Sequence, residues 1–229
     1  MSTPSAPRIT VFAPELTPYT IKVTRALRWK GLPYALEEPG SADDYRRWSP
    51  ENGLLPVIDV DGTRVQDSAA ILDVIDERFP EPPLLSSDAK VAREQRRLEA
   101  WTAETFFFHM FRWVRARLGP SAPERDGRGL GPMMRLGLIG PNGQVRSEVF
   151  DARGGEAGPA FDEALDELVK LLGSRPFFFA DTLSRADLAV YGSLRGLRSD
   201  RYPGSTALIR ARPALWSHCD RVEEATGGA

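Results

Sequence analysis

The chain has 229 residues, 41% of them hydrophobic, and a formal net charge of −2. That length holds one large domain or two small ones, and the near-neutral charge supplies no global field for nucleic acid or an anionic membrane. Cys219 is the one cysteine, and His109 and His218 are the only histidines, which excludes an internal disulfide and a Cys- or His-rich metal site. Residues 1–7 have no apolar core of a signal peptide, and no run approaches the roughly 18 apolar residues of a membrane span, so a cytoplasmic protein is expected.

Residues 8–12 alternate and are β-branched, which predicts a strand. Pro18 suits a first helical position, where no N–H is needed. Ile21, Val23, Ala26, Leu27 and Trp29 continue a helical stripe that Gly31 stops. Residues 34–38 read as a weaker strand and 43–48 as a helical turn. Residues 57–60 and 63–66 predict a hairpin across Asp61-Gly62, a type I′ signal. Ala69, Ile71, Leu72, Ile75 and Phe79 mark a helix ending before Pro80, and Pro80-Glu81-Pro82-Pro83 reads as a stiff linker.

Beyond the linker the pattern becomes long helices. Residues 88–118 read as one helix, with a locally basic face that is solvated or salt-bridged. Its stretch Phe106-Phe107-Phe108-His109-Met110-Phe111-Arg112-Trp113 is too apolar for one buried face. A second side then borders a cleft or a partner subunit, or the helix is simply central and buried. Residues 119–159 are rich in Gly and Pro, with a short helix near 133–138 and a mobile loop over 141–155. Helices follow over 160–172, 187–197 and 213–225. Ser184-Arg185-Ala186-Asp187 fits a capping box, and Leu183 and Leu188 are placed for a hydrophobic staple, a structural role. The division expected is an α/β domain over 1–80, a linker over 81–90 and an all-α domain over 91–229.

Leu55-Pro56 and Asp67-Ser68 carry the chemistry. Pro56 opens a strand, and a cis bond there is favoured over a trans one. It would turn the backbone of Leu55 outward as a free edge. Ser68 and the first N–H groups of its helix favour a carboxylate, and Asp67 suits an ammonium group. Both residues are also good caps. The socket suits a small peptide with a carboxylate.

Three segments together resemble the glutathione transferase superfamily. They are Thr17-Pro18-Tyr19-Thr20-Ile21-Lys22-Val23, then Leu55-Pro56 with Asp67-Ser68, then Phe177-Phe178-Phe179-Ala180-Asp181-Thr182-Leu183-Ser184-Arg185-Ala186-Asp187. The resemblance covers most of the chain. It implies an α/β thioredoxin-like domain followed by an all-α helical-bundle domain, the glutathione transferase fold. It implies conjugation of the glutathione thiol to an apolar electrophile, in a detoxifying role, with glutathione as co-substrate and no cofactor or metal. Leu55 and Pro56 would hold the cysteinyl backbone, Ser68 the γ-glutamyl carboxylate and Asp67 the α-ammonium.

Thr17 occupies the position of the family's catalytic residue, and Thr20 that of the second cysteine in redox relatives. With both thiols absent, dithiol chemistry through this segment is excluded. Thr17 either donates a hydrogen bond to a glutathione thiolate or only opens the helix ahead of Pro18. Tyr19, Phe108 and Arg112 are candidates for the electrophile pocket, Tyr19 being also the alternative donor. Asn52-Gly53-Leu54 departs from the family, which often carries Lys or Gln there to hold a carboxylate. The partners implied are glutathione, a hydrophobic small molecule and a second copy of the chain in a homodimer. A non-catalytic binding or scaffold protein of the same fold is the alternative.

Overall fold

The computed structural model describes residues 7–118, 157–199 and 202–228. Four strands form a mixed sheet in the order β2-β1-β3-β4: β1 Ile9–Phe12, β2 Ala35–Glu37, β3 Val57–Val60 and β4 Thr63–Gln66. β1 runs parallel to β2 and antiparallel to β3, with Val11 opposite Ile58. The two central strands are the apolar ones, and Val11, Ile58 and Val60 are buried. The hairpin joins β3 to β4 through Asp61 and Gly62 at φ 55° and 89°, as a type I′ turn requires.

Three helices complete this domain: α1 Pro18–Trp29, α2 Ala42–Trp48 and α3 Ser68–Arg78. Gly31, at φ 65°, closes α1: its N–H bonds Arg28 O and the Leu32 N–H bonds Leu27 O, the paired bonds of a left-handed helix stop. The proline-rich connection is tied down at both ends. Lys30 Nζ donates to Asp76, Phe79 O and Pro82 O at 2.6–2.7 Å. Leu84 is fully buried, and its carbonyl accepts the Arg185 N–H.

The second domain is helical: α4 Ala89–Trp101, α5 Phe107–Leu118, α6 Ala157–Leu172, α7 Arg185–Arg198, α8 Ser205–Arg210 and α9 Pro213–Ala225. The single helix expected over 88–118 is interrupted by a π-helical turn, Thr102–Phe106. An extra residue in such a turn swings one carbonyl aside, and periodicity does not reveal it. Most of the aromatic stretch is core: Phe106, Phe107, Met110, Phe111 and Trp113 are buried, while Phe108, His109 and Arg112 are partly covered. The short helix α8 was not anticipated, since six residues give no readable period. The helix and loop expected within 119–156 lie outside the described residues.

The capping box is present. Asp187 accepts from the Ser184 N–H and hydroxyl (2.8 and 2.7 Å), from the Phe178 N–H (2.8 Å) and from His218 Nε2 (2.9 Å). Leu183 and Leu188 are both buried, as a staple requires. The start of α7 is thereby fixed, and α7 packs on α1. The approach is close enough that a Cβ at Gly192 would lie 2.4 Å from Pro18 O. The second domain therefore sets the position of the helix that begins at Thr17.

Candidate functional site

A cavity of about 610 Å³ opens between the domains. From the first domain it is lined by Tyr19, Lys22, Asn52, Leu54, Leu55, Pro56, Gln66, Asp67 and Ser68. From the second come Arg96, Glu99, Ala103, Glu104, Phe107, Phe108 and Arg185.

The Leu55-Pro56 bond is cis. Beside it Asp67 sits at φ 75°, a backbone region that few non-glycine residues enter and that clusters at ligand sites. Its Oδ1 caps α3 by accepting the Ala69 and Ala70 N–H groups (2.8 and 3.1 Å). Among the described residues its Oδ2 has no protein partner, and neither has the Ser68 hydroxyl. Capping and binding are therefore divided between atoms: Oδ1 serves the fold, while Oδ2 and the Ser68 hydroxyl stay unengaged among the described residues, on two residues that line the cavity. Two of the helix amides that the sequence offered to a carboxylate are taken by Asp67.

The departure at residues 52–54 has a local explanation. Asn52 Oδ1 accepts from the Leu54 N–H (2.9 Å) and the Ser49 hydroxyl (3.0 Å), and Gln66 Nε2 also donates to it. Gln66 donates as well to Leu54 O (3.1 Å). With its oxygen committed, the Asn52 amide nitrogen is a neutral donor at the cavity in place of a charged one.

Thr17 is the N-cap of α1. Its Oγ1 accepts the Thr20 N–H at 3.1 Å and lies 2.7 Å from Thr20 Oγ1. Thr17 is 6% exposed and is not among the residues lining the cavity. Tyr19 does line it, packs against Phe107 with centroids 5.6 Å apart, and donates its hydroxyl to Ala103 O in the π turn at 3.2 Å. Burial, with Asp67 and Glu104 nearby, pushes the Tyr19 phenol well up, so it stays protonated. Phe108 lines the cavity beside Phe107, whereas Arg112 does not.

The residues that sequence reasoning passed over are ionic. Lys22 Nζ meets Glu99 Oε1 at 2.7 Å, Arg185 binds Glu99 Oε2 and Asp73, and Arg96 meets Asp73 at 2.9 Å. Lys22, Glu99 and Arg185 are almost completely buried. Burial pushes the Lys22 ammonium down, and Glu99 opposes that shift. Burial raises the Asp73 carboxyl, but its bonds with Arg185 and Arg96 outweigh burial and hold it below the usual carboxylate range. Five charges from α1, α3, α4 and α7 thus form the wall of the cavity across the domain seam. The signal in the sequence was a lysine inside the apolar stripe of α1 and an arginine inside a buried cap; their common partner Glu99 lies far from both along the chain.

Residues 12–83 match the family model "Glutathione S-transferase, N-terminal domain", and residues 151–221 match "Glutathione S-transferase, C-terminal domain". The isoprene-epoxide–glutathione S-transferase of Rhodococcus sp. (strain AD45) is 23% identical, over 92% of this chain and 93% of its own length. The Drosophila melanogaster protein Failed axon connections is 25% identical over 94% of this chain, which spans 55% of that relative. The crystal structure of human glutathione transferase theta-2 in complex with glutathione and an unknown ligand has the same fold, with a TM-score of 0.67 at 22% identity, covering 96% of this chain and 82% of that one. With both domain models matched in order and the paired fold in place, the chain belongs to the glutathione S-transferase superfamily.

Proposed function

We propose that the protein is a glutathione transferase that joins the glutathione thiol to an electrophilic centre on an apolar small molecule. The observation that carries this reading is one cavity holding a cis-proline edge, an acidic cap with an unused oxygen and a free serine hydroxyl. Leu55 would pair with the cysteinyl backbone as an added strand. Ser68 would take the γ-glutamyl carboxylate, Asp67 Oδ2 the α-ammonium and the Asn52 amide the glycyl carboxylate. Phe107 and Phe108 form the apolar side on which an electrophile would rest. The thiol first loses its proton to solvent. The thiolate then supplies the electron pair of a new S–C bond while the leaving group departs with the electrons of its own bond to carbon, or an opened ring oxygen takes a proton from water. Thr17 would steady the thiolate. The reading includes a cytoplasmic homodimer, for which sedimentation should give the mass of two chains.

The isoprene epoxide in the name of the Rhodococcus relative supports an electrophile of that size and polarity. A second reading, a binding or scaffold protein without turnover, is favoured by the commitment of the Thr17 hydroxyl to its helix cap. Retention on immobilised glutathione followed by an assay of electrophile conjugation separates them. Retention with turnover supports the enzyme, retention without turnover supports the binder, and neither removes glutathione. Ser68→Ala should weaken glutathione binding about tenfold, the loss of one good hydrogen bond to a charged group.

A further inference from the structure

Thr20 has no place in the proposed chemistry, yet its hydroxyl is fully buried beside the Thr17 hydroxyl that would steady the thiolate. Thr20 Oγ1 lies 2.7 Å from Thr17 Oγ1, and among the described residues that oxygen is its single hydrogen-bond partner. A buried hydroxyl proton without an acceptor costs more than an unfilled lone pair. Either hydroxyl could donate in the short bond, but Thr20 is fully buried whereas Thr17 keeps 6% exposure, so the arrangement that leaves only the Thr17 proton for a ligand places the Thr20 proton in that bond, directed at Thr17 Oγ1. The Thr20 N–H already donates to the same oxygen at 3.1 Å. A hydroxyl oxygen has two lone pairs and one proton. With both lone pairs of Thr17 occupied from within the helix, its own proton is left without an acceptor among the described residues.

We propose that Thr20 is a positioning residue: its buried hydroxyl fixes Thr17 as a hydrogen-bond donor, whose proton is then available to a glutathione thiolate brought against the start of α1. This rests on the transferase reading above. It also removes the conflict between capping and catalysis at Thr17. Capping uses the oxygen as an acceptor, and thiolate stabilisation uses the proton. Two donors on one oxygen also polarise the remaining O–H, because hydrogen bonds in a chain strengthen one another. A hydroxyl held this way favours the ionised thiol, so it lowers the thiol pKa.

The test is an equilibrium titration of enzyme-bound glutathione, following thiolate absorbance against pH, for the full-length protein and for Thr20→Val, Thr20→Ala, Thr20→Ser and Thr17→Ala. Thermal midpoints are recorded alongside to identify folded variants. Thr20→Val should move the thiol titration up by about one pH unit, which is about a tenfold loss of thiolate at pH values well below the parent midpoint. Thr20→Ser, which keeps the hydroxyl, should titrate like the parent. Adding Thr20→Val to Thr17→Ala should produce no further shift. A titration that moves with Thr17→Ala but not with Thr20→Val or Thr20→Ala overturns the role of Thr20 and leaves the transferase reading standing. A titration that no variant moves overturns both Thr20 and the part given to Thr17. An absence of glutathione binding overturns the transferase reading itself.

Discussion

Of the aspartates that hold helix starts in this protein, Asp187 and Asp67 do it differently. Asp187, under α7, is fully buried and spends both oxygens on Phe178, Ser184 and His218. Asp67, ahead of α3, spends one oxygen on two amides and leaves the other at a cavity, on a backbone with φ 75°. A saturated cap adds stability and offers nothing to a ligand. A half-used cap in an uncommon conformation keeps a charge in hand, and that is the arrangement a binding site needs.

The largest effect should come from the saturated cap. Asp187→Ala leaves the Phe178 N–H and the His218 ring buried without partners, and should cost about 3–4 kcal/mol of stability by denaturant titration. A loss under about 1 kcal/mol would make the two caps equivalent and break the comparison. Glu99→Ala should come close behind, at about 3 kcal/mol, because Lys22 is then buried without its carboxylate and Arg185 keeps only Asp73. Asp67→Ala should invert the pattern: about a tenfold loss of glutathione affinity by calorimetry, with a stability loss of about 1 kcal/mol or less. Unchanged affinity would place Asp67 with Asp187 as a purely structural cap.

Acid sharpens the same contrast. Asp73 is held below the ordinary carboxylate range by Arg185 and Arg96 despite the opposing effect of burial. A depressed folded-state pKa gives stability that is fully present above the unfolded value of about 3.9 and is lost as pH falls through the folded value. Asp73→Asn should therefore flatten the loss of stability below about pH 4. The smallest perturbation is chemical. Burial pushes the Cys219 thiol up to about 12, so a thiol reagent at neutral pH should label it only as fast as the chain unfolds. Immediate labelling of the native protein would contradict the packing of α9.

Local sequence determined much of this molecule. The helix over Pro18–Trp29, the hairpin at Asp61-Gly62 and the box at Ser184-Asp187 each rest on contacts within a few residues, so their signals stand side by side in the chain. The Asp67-Ser68 start of α3 was legible for the same reason. Periodicity placed α9 at Pro213–Ala225, the bounds observed. Tertiary structure alone decided the rest. The π turn at Thr102–Phe106 leaves no period to read. The Lys22–Glu99–Arg185–Asp73–Arg96 wall joins charges from four helices, and its existence depends on a burial cost that residues near in sequence cannot express. Which oxygen of Asp67 is spent likewise follows from three-dimensional hydrogen bonding, because residue type offers the donors and acceptors but only the fold assigns them.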